Sequence, residues 1–257
     1  YIILDSTVPQ FRKLEEISKK KGLKIKTVFG KNSDLELIEH LYKNENQFLK
    51  IKYKSQIYNI KLNLIGKIQI KNILMAVLAA IQSNISINNI IKAITKLKPV
   101  EGRLEKISTL RNKSKVLLDF AHSPDALETI LINVKEQFSS SKVHLVFGCG
   151  GDRDKNKRFK MGEIASKYAD KIYLTDDNPR TEDPQRIRNE IKKGIRHKDI
   201  LEIPQRKKAI FKCVNNLCTG DIAIIAGKGH EKTQDYKGKK KFFSDRKEIF
   251  KSVKIKN

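Results

Sequence analysis

The chain has 257 residues, 39% hydrophobic and 32% charged, and a formal net charge of +25. That length and apolar content exclude a disordered tail and supply one large or two modest cores. No run approaches the roughly 18 apolar residues that cross a bilayer, and the opening "YIILDSTVPQ" lacks the basic segment of a secretion signal, so a cytoplasmic protein with no membrane partner is expected.

The first hundred residues carry strand-like runs, "YIIL", "KIKTVFG", "FLKIKY" and "YNIKLNL", and then "NILMAVLAAIQS", a helix whose apolar residues cover most of its circumference and imply burial. "KLKPVEGRLEKI" brings Pro99 and Gly102 together and reads as a junction between 1–100 and 101–257. Beyond it the rhythm is regular. "KVLLDFA", "KVHLVFG", "KIYLTD", "ILEI" and "DIAIIAG" read as strands, and "SPDALETILINVKEQF", "RFKMGEIASKYA", "DPQRIRNEIKKGI" and "RKKAIFKCVNNL" read as the helices between them. Strands alternating with helices predict an α/β fold, a Rossmann-like, mostly parallel sheet with helices on both faces. Ligands of such sheets gather beyond the carboxyl ends of the strands.

Cys149, Cys213 and Cys218 lack C-x-x-C spacing and make neither a disulfide framework nor a zinc site. The lysines are spread from "SKKKGLKIK" to "YKGKKKFF" among frequent Asn and Ile, a pattern of solvated faces and compositional drift. No RNA signature, helix-turn-helix or finger spacing is present, so no specific nucleic-acid partner is expected. A basic module that binds anionic polymers is the alternative outside the enzymes.

Polar clusters follow the strands of the second half: Asp119 and His122, then "GCGGDRDKNKR", then "DDNPR", then "GKGHEKTQ". Any one alone reads as a turn or a helix cap. Capping does not require Arg153, Arg180, His230 and Glu231 on one edge, and the four together predict a site.

"GRLE" (102–105), "DFAHSPDALE" (119–128), "VFGCGGDRDKNKR" (146–158), "DDNPRTEDP" (176–184), "AGKGHEKTQ" (226–234) and "FSDR" (243–246) resemble, in this order, the motif set of the Mur ligases, and within them the diaminopimelate-adding branch. The resemblance implies a C-terminal, amino-acid-binding domain at 101–257 and the C-terminal part of the central ATP-binding domain at 1–100. It implies a monomeric ligase that uses ATP and Mg²⁺ to join meso-diaminopimelate to UDP-N-acetylmuramoyl-L-alanyl-D-glutamate through an acyl phosphate, in peptidoglycan precursor synthesis. Positioning and neutralisation of phosphate charge dominate such chemistry.

By the same resemblance Arg103, Asp119 and His122 contact the nucleotide, although His122 reads equally as a strand-end histidine satisfied by backbone. Arg153, Asp177, Asn178, Pro179, Arg180, Gly227 and Glu231 form the amino-acid pocket, with Lys228 and His230 in support, and no metal ligand is implied in this stretch. Diaminopimelate differs from lysine by a carboxylate on the far carbon, which an arginine fork grips with two parallel hydrogen bonds. Arg180 is therefore the expected selector, and it argues against a lysine-adding ligase or a folylpolyglutamate synthase, the alternatives within the superfamily. Two departures stand out: Ile68 and Gln69 in "GKIQIKN" replace a Gly-x-Phe-Asn-like pattern, and no G-x-x-G-K-[ST] phosphate loop is present. The expectation is the C-terminal portion of a longer enzyme, inactive alone.

Overall fold

The computed structural model describes residues 1–43, 45–196 and 199–256, in two compact units, Tyr1–Lys98 and Pro99–Asn257. In the first unit β1 (Ile2–Asp5), α1 (Phe11–Lys20), β2 (Ile25–Phe29), β3 (Leu35–Lys43), β4 (Asn46–Tyr53) and β5 (Gln56–Leu62) are followed by α2 (Ile68–Gln82) and α3 (Ile87–Ile94). The sheet runs in order β1-β2-β3-β4-β5, with β1 to β3 parallel and β3 to β5 antiparallel. Ile70, Ile73, Leu74, Val77 and Leu78 of α2 form one buried stripe at helical spacing, and pack with Val28, Leu35, Ile51 and Ile60. Asn72, Ala76 and Ala79 of the same helix are exposed, so its burial is one-sided rather than all round.

The second unit contains β6 (Glu105–Thr109), β7 (Lys115–Asp119), α4 (Pro124–Gln137), β8 (Val143–Phe147), α5 (Asn156–Tyr168), β9 (Lys171–Leu174), α6 (Pro184–Lys192), β10 (Ile200–Glu202), α7 (Arg206–Asn215), β11 (Ile222–Ala226), β12 (Thr233–Tyr236), β13 (Lys239–Phe242) and α8 (Asp245–Lys256). Its main sheet runs β10-β9-β8-β11-β7-β6, parallel throughout except for β6 at one edge. Every residue of β7, β8 and β11 is buried, Lys115, Asp119 and His144 included, as in a sheet covered on both faces. α4 packs on α5 and α5 on α6, while α7 packs on α8. Each of the strands and helices expected after residue 100 is present, and β6, the β12–β13 hairpin and α8 join them.

Helix starts fix where the loops leave the sheet. Ser123 caps α4 by accepting from the Ala126 N–H, and Asp183 caps α6 by accepting from the Gln185 N–H, each followed by a proline at the first turn. Because β11 lies between β8 and β7, the ends of β7, β11, β8 and β9 stand side by side. Among the described residues no helix is long and apolar enough to cross a membrane.

Candidate active site

The loops leaving β7, β8, β9 and β11 enclose a cavity of about 340 Å³. Asp177, Asn178, Gly227 and Glu231 form one side of its lining, and Arg153, Lys157 and Arg180 bring cations to it, with His122 also on the lining. Arg103, Asp119, Pro179, Lys228 and His230 lie outside that lining.

The anionic side is built on buried charge. Burial pushes the Asp177 carboxyl above its ordinary value, and the nearby Arg206 and Lys228 offset only part of that. A Cβ on Gly227 would stand 2.7 Å from Asp177 Oδ2, and Gly227 has φ +115°, so glycine alone admits the carboxylate here. The fully buried Lys228 donates to Glu231 Oε2 (2.8 Å) and to Asn178 Oδ1 (3.0 Å). Asn178 Nδ2 donates to Glu231 Oε2 at 3.1 Å, and its Oδ1 also accepts from the Asp235 N–H at 3.1 Å. The Asn178 amide is thus engaged within the protein, where it holds Glu231. Burial pushes Glu231 upward, but Lys228, Asn178 and Arg180 together outweigh it and lower the carboxyl below its ordinary value.

Behind this side the buried Arg206 grips Asp245 with two bonds of 2.7 Å and donates to the Ala226 carbonyl at 2.9 Å. With all groups ionised, the carboxylates of Asp177, Glu231 and Asp245 face the cations of Lys228 and Arg206. The Arg180 guanidinium adds a third positive charge, which acts on Glu231.

The cationic side rests on two loops tied together. Arg180 Nη1 donates to the Gly151 carbonyl at 2.6 Å, and Thr181 Oγ1 donates to Asp152 Oδ1 at 2.7 Å. The fully buried Arg158 donates to both oxygens of Glu182 (2.8 and 3.0 Å) and to Glu190 (2.7 Å). The hydrogen bond from Arg158 holds the Glu182 carboxyl down at about 2. Asp152 and Arg180 both sit at φ 53°, a conformation that side-chain-bearing residues keep only where neighbours impose it. Sequence reasoning did not single out Arg158, Glu182, Arg206 or Asp245. The arginines lie inside helical patterns whose partners are distant in the chain.

The three residues expected at a nucleotide separate into two environments. The Arg103 guanidinium lies 5.1 Å from the Phe120 ring centre, the His122 ring meets that ring edge-on at 4.7 Å, and His230 lies 5.2 Å away. His122 Nδ1 donates to the Phe120 carbonyl at 2.9 Å, the backbone bond of a strand-end histidine. Asp119 is only 4% exposed, and its two oxygens accept from the Leu104 and Ala121 N–H groups, each at 2.7 Å. It fastens the loop that carries Arg103 to the end of β7. Among the described residues, no group of three or more His, Cys, Asp and Glu side chains stands together to hold a metal ion.

Residues 102–229 match the family model described as "Mur ligase, glutamate ligase domain". The UDP-N-acetylmuramoyl-L-alanyl-D-glutamate–2,6-diaminopimelate ligase of Rickettsia montanensis is 39% identical over 98% of the chain and 52% of its own length. That of Rickettsia prowazekii (strain Madrid E) is 40% identical over 95% of the chain and 50% of its own. The chain therefore spans about half the length of these curated relatives. A solved structure of a UDP-N-acetylmuramoyl-L-alanyl-D-glutamate–2,6-diaminopimelate ligase superposes with a TM-score of 0.71 at 29% identity, over 98% of this chain and 53% of that one. A Mycobacterium tuberculosis folylpolyglutamate synthase complexed with ADP and AMPPCP shares the fold, with a TM-score of 0.70 at 17% identity over 88% of this chain and 52% of that one.

Proposed function

The chain belongs to the Mur ligase family, and from that premise we propose that the protein carrying it joins meso-diaminopimelate to UDP-N-acetylmuramoyl-L-alanyl-D-glutamate, using ATP with Mg²⁺. The names of the relatives support that substrate pair, and a fold shared with an ADP-bound synthase supports a nucleoside triphosphate as the activating reagent. The observation that carries the reading is the polarity of the cavity. Asp177 and Glu231 bring carboxyl groups to the lining, and Arg153, Lys157 and Arg180 bring cations to the same space. That arrangement suits an amino acid that brings an ammonium group to one side and a further carboxylate to the other.

In the proposed reaction the glutamyl carboxylate is first phosphorylated. The substrate amine then attacks the acyl phosphate carbon, a C–N bond forms, the C–O bond to phosphate breaks, and inorganic phosphate leaves. Asp177 and Glu231 hold the ammonium end, Lys228 and Asn178 keep Glu231 ionised and aimed, and Arg153 and Arg180 take the carboxylates. Arg103, with the Phe120 and His230 rings, offers a flat cationic face to the nucleotide. Mg²⁺ would neutralise charge on the transferring phosphate, and the described residues bring no cluster of His, Cys, Asp and Glu to hold it. Cytoplasmic action as a monomer belongs to the same proposal.

The test is amide formation by the full-length gene product supplied with ATP, Mg²⁺, the UDP-linked dipeptide and either meso-diaminopimelate or L-lysine. Product with diaminopimelate alone is expected. A preference for lysine would overturn the selector role of Arg180, and no amide with either would overturn the ligase reading.

A further inference from the structure

A side chain that selects a carboxylate must hold its guanidinium in one place, yet Arg180 lies in an irregular loop and is itself left-handed at φ 53°. β12 runs along that loop. Gln234 Nε2 donates to the main-chain oxygens of Asp177 (2.7 Å) and Asp176 (3.3 Å), and the Asp235 N–H donates to Asn178 Oδ1 (3.1 Å). The Tyr236 hydroxyl donates to Asp176 Oδ2 (2.9 Å). Arg180 is held at both ends of its peptide, its N–H donating to the Asp235 carbonyl (3.1 Å) and its carbonyl accepting from the Lys237 N–H (2.6 Å). Every residue from Gln234 to Lys237 thus bonds one between Asp176 and Arg180. Meanwhile β13, the partner of β12 in the hairpin, is exposed along its whole length. The hairpin contributes little core of its own, and its inner strand is occupied with the loop.

Resting on the reading above, we propose that Gln234 is a positioning residue for Arg180. Its side chain is 8% exposed and donates to two successive carbonyls, so it sets the register of residues 176–180 against β12. Loss of that amide leaves buried carbonyls without a donor and frees the loop to slip along the strand. Misplacement of a binding group by about 1 Å is enough to cost roughly 100-fold in rate. Gln234 touches no substrate in this assignment and acts through the loop that carries Asp177 and Arg180.

The experiment is a double-mutant cycle in the full-length protein, with Gln234→Ala, Arg180→Ala and the double variant assayed against diaminopimelate and lysine. Gln234→Glu is a second, isosteric variant that presents a carboxylate to the two carbonyls, and thermal midpoints identify any variant that does not fold. Gln234→Ala and Gln234→Glu are each expected to lower kcat/KM for diaminopimelate by about 10- to 100-fold, through a raised KM for the amino acid. KM for ATP stays put, and the loss in the double variant is smaller than the product of the two single losses. Losses that multiply in the double variant, or that raise KM for ATP equally, would overturn the positioning role while leaving the selector intact. A wild-type protein with no preference for diaminopimelate would instead overturn the functional reading, and this inference with it.

Discussion

Gly151 and Pro179 are in backbone contact: a Cβ on the glycine would stand 1.9 Å from the proline carbonyl oxygen, and 3.3 Å from the Cβ of Glu182. The glycine-rich loop after β8 and the Arg180 loop after β9 are therefore pressed together with no room for a side chain between them, and the Gly151 N–H donates to the Asn178 carbonyl at 2.9 Å. Gly151→Ala must push the loops apart, because the atom it meets is main chain and cannot rotate away. The expected result is a loss of at least about tenfold in kcat/KM for the amino acid, with a lower thermal midpoint, read by steady-state kinetics and differential scanning calorimetry.

Asp177→Asn should separate stability from function. Burial lifts the folded-state pKa of Asp177 above its ordinary 3.8, so the folded protein holds this proton more tightly than the unfolded chain. The stability linked to that proton is full below the unfolded value and is lost as pH rises through the folded one. In its ionised form the group is a burden, and above the folded-state pKa the asparagine variant is expected to melt about 2 °C or more higher while losing amino-acid binding. The stabilisation should shrink as the pH is lowered toward 4, and a variant that melts lower above that pKa would contradict the burial account.

Arg158 is fully buried between two carboxylates, and its removal leaves Glu182 to the Asp152 N–H and the more distant Lys155, and Glu190 to Arg186. Arg158→Met is expected to cost about 3–5 kcal/mol in urea unfolding at pH 7. Glu182 is held at about 2 against an ordinary 4.5, so the stability it contributes is present above about 4.5 and is lost as pH falls toward 2. Wild type should therefore lose stability across that acid window faster than Arg158→Met does.

His144 on β8 is buried and bonded through Nε2 to Asp221 at 3.0 Å. Burial pushes its pKa below the ordinary 6.5, although Asp221 pulls the other way. The unfolded chain therefore takes up this proton first, and stability, complete above about 6.5, falls as the pH drops below it. His144→Gln is expected to flatten the slope of unfolding free energy between pH 6.5 and 5, measured by denaturant titration at a series of pH values.

The α/β core was legible because its signals are local. Uninterrupted apolar runs such as Ile222–Ala226 mark strands covered on both faces, and Ser123-Pro124 and Asp183-Pro184 announce helices. β12 and β13 were not legible. Their residues are "TQDY" and "KKKF", largely exposed, and a strand that buries no regular face leaves no alternation to read. α1 was hidden for a related reason, since Ser18 is its only buried residue among "FRKLEEISKK".

The candidate site divides the same way. Strand-end clusters pointed to Asp177, Arg180 and Glu231, which do line one cavity. The pairs that hold them in place, Arg158 with Glu182 across 24 residues and Arg206 with Asp245 across 39, join segments whose proximity only the folded sheet creates.

Asp245 is the first residue of α8, the twelve-residue helix that packs on α7, and it is the carboxylate that grips Arg206 beneath the anionic side of the cavity. Until that helix docks, Arg206 lacks its counter-ion and the surroundings of Asp177 are one charge more positive. During synthesis the sheet and every residue lining the cavity emerge from the ribosome before Asp245 does. The charge beneath the pocket is thus completed only after the whole rim has been made, and a nascent chain stalled within "FFSDR" would carry that rim above an Arg206 without its counter-ion.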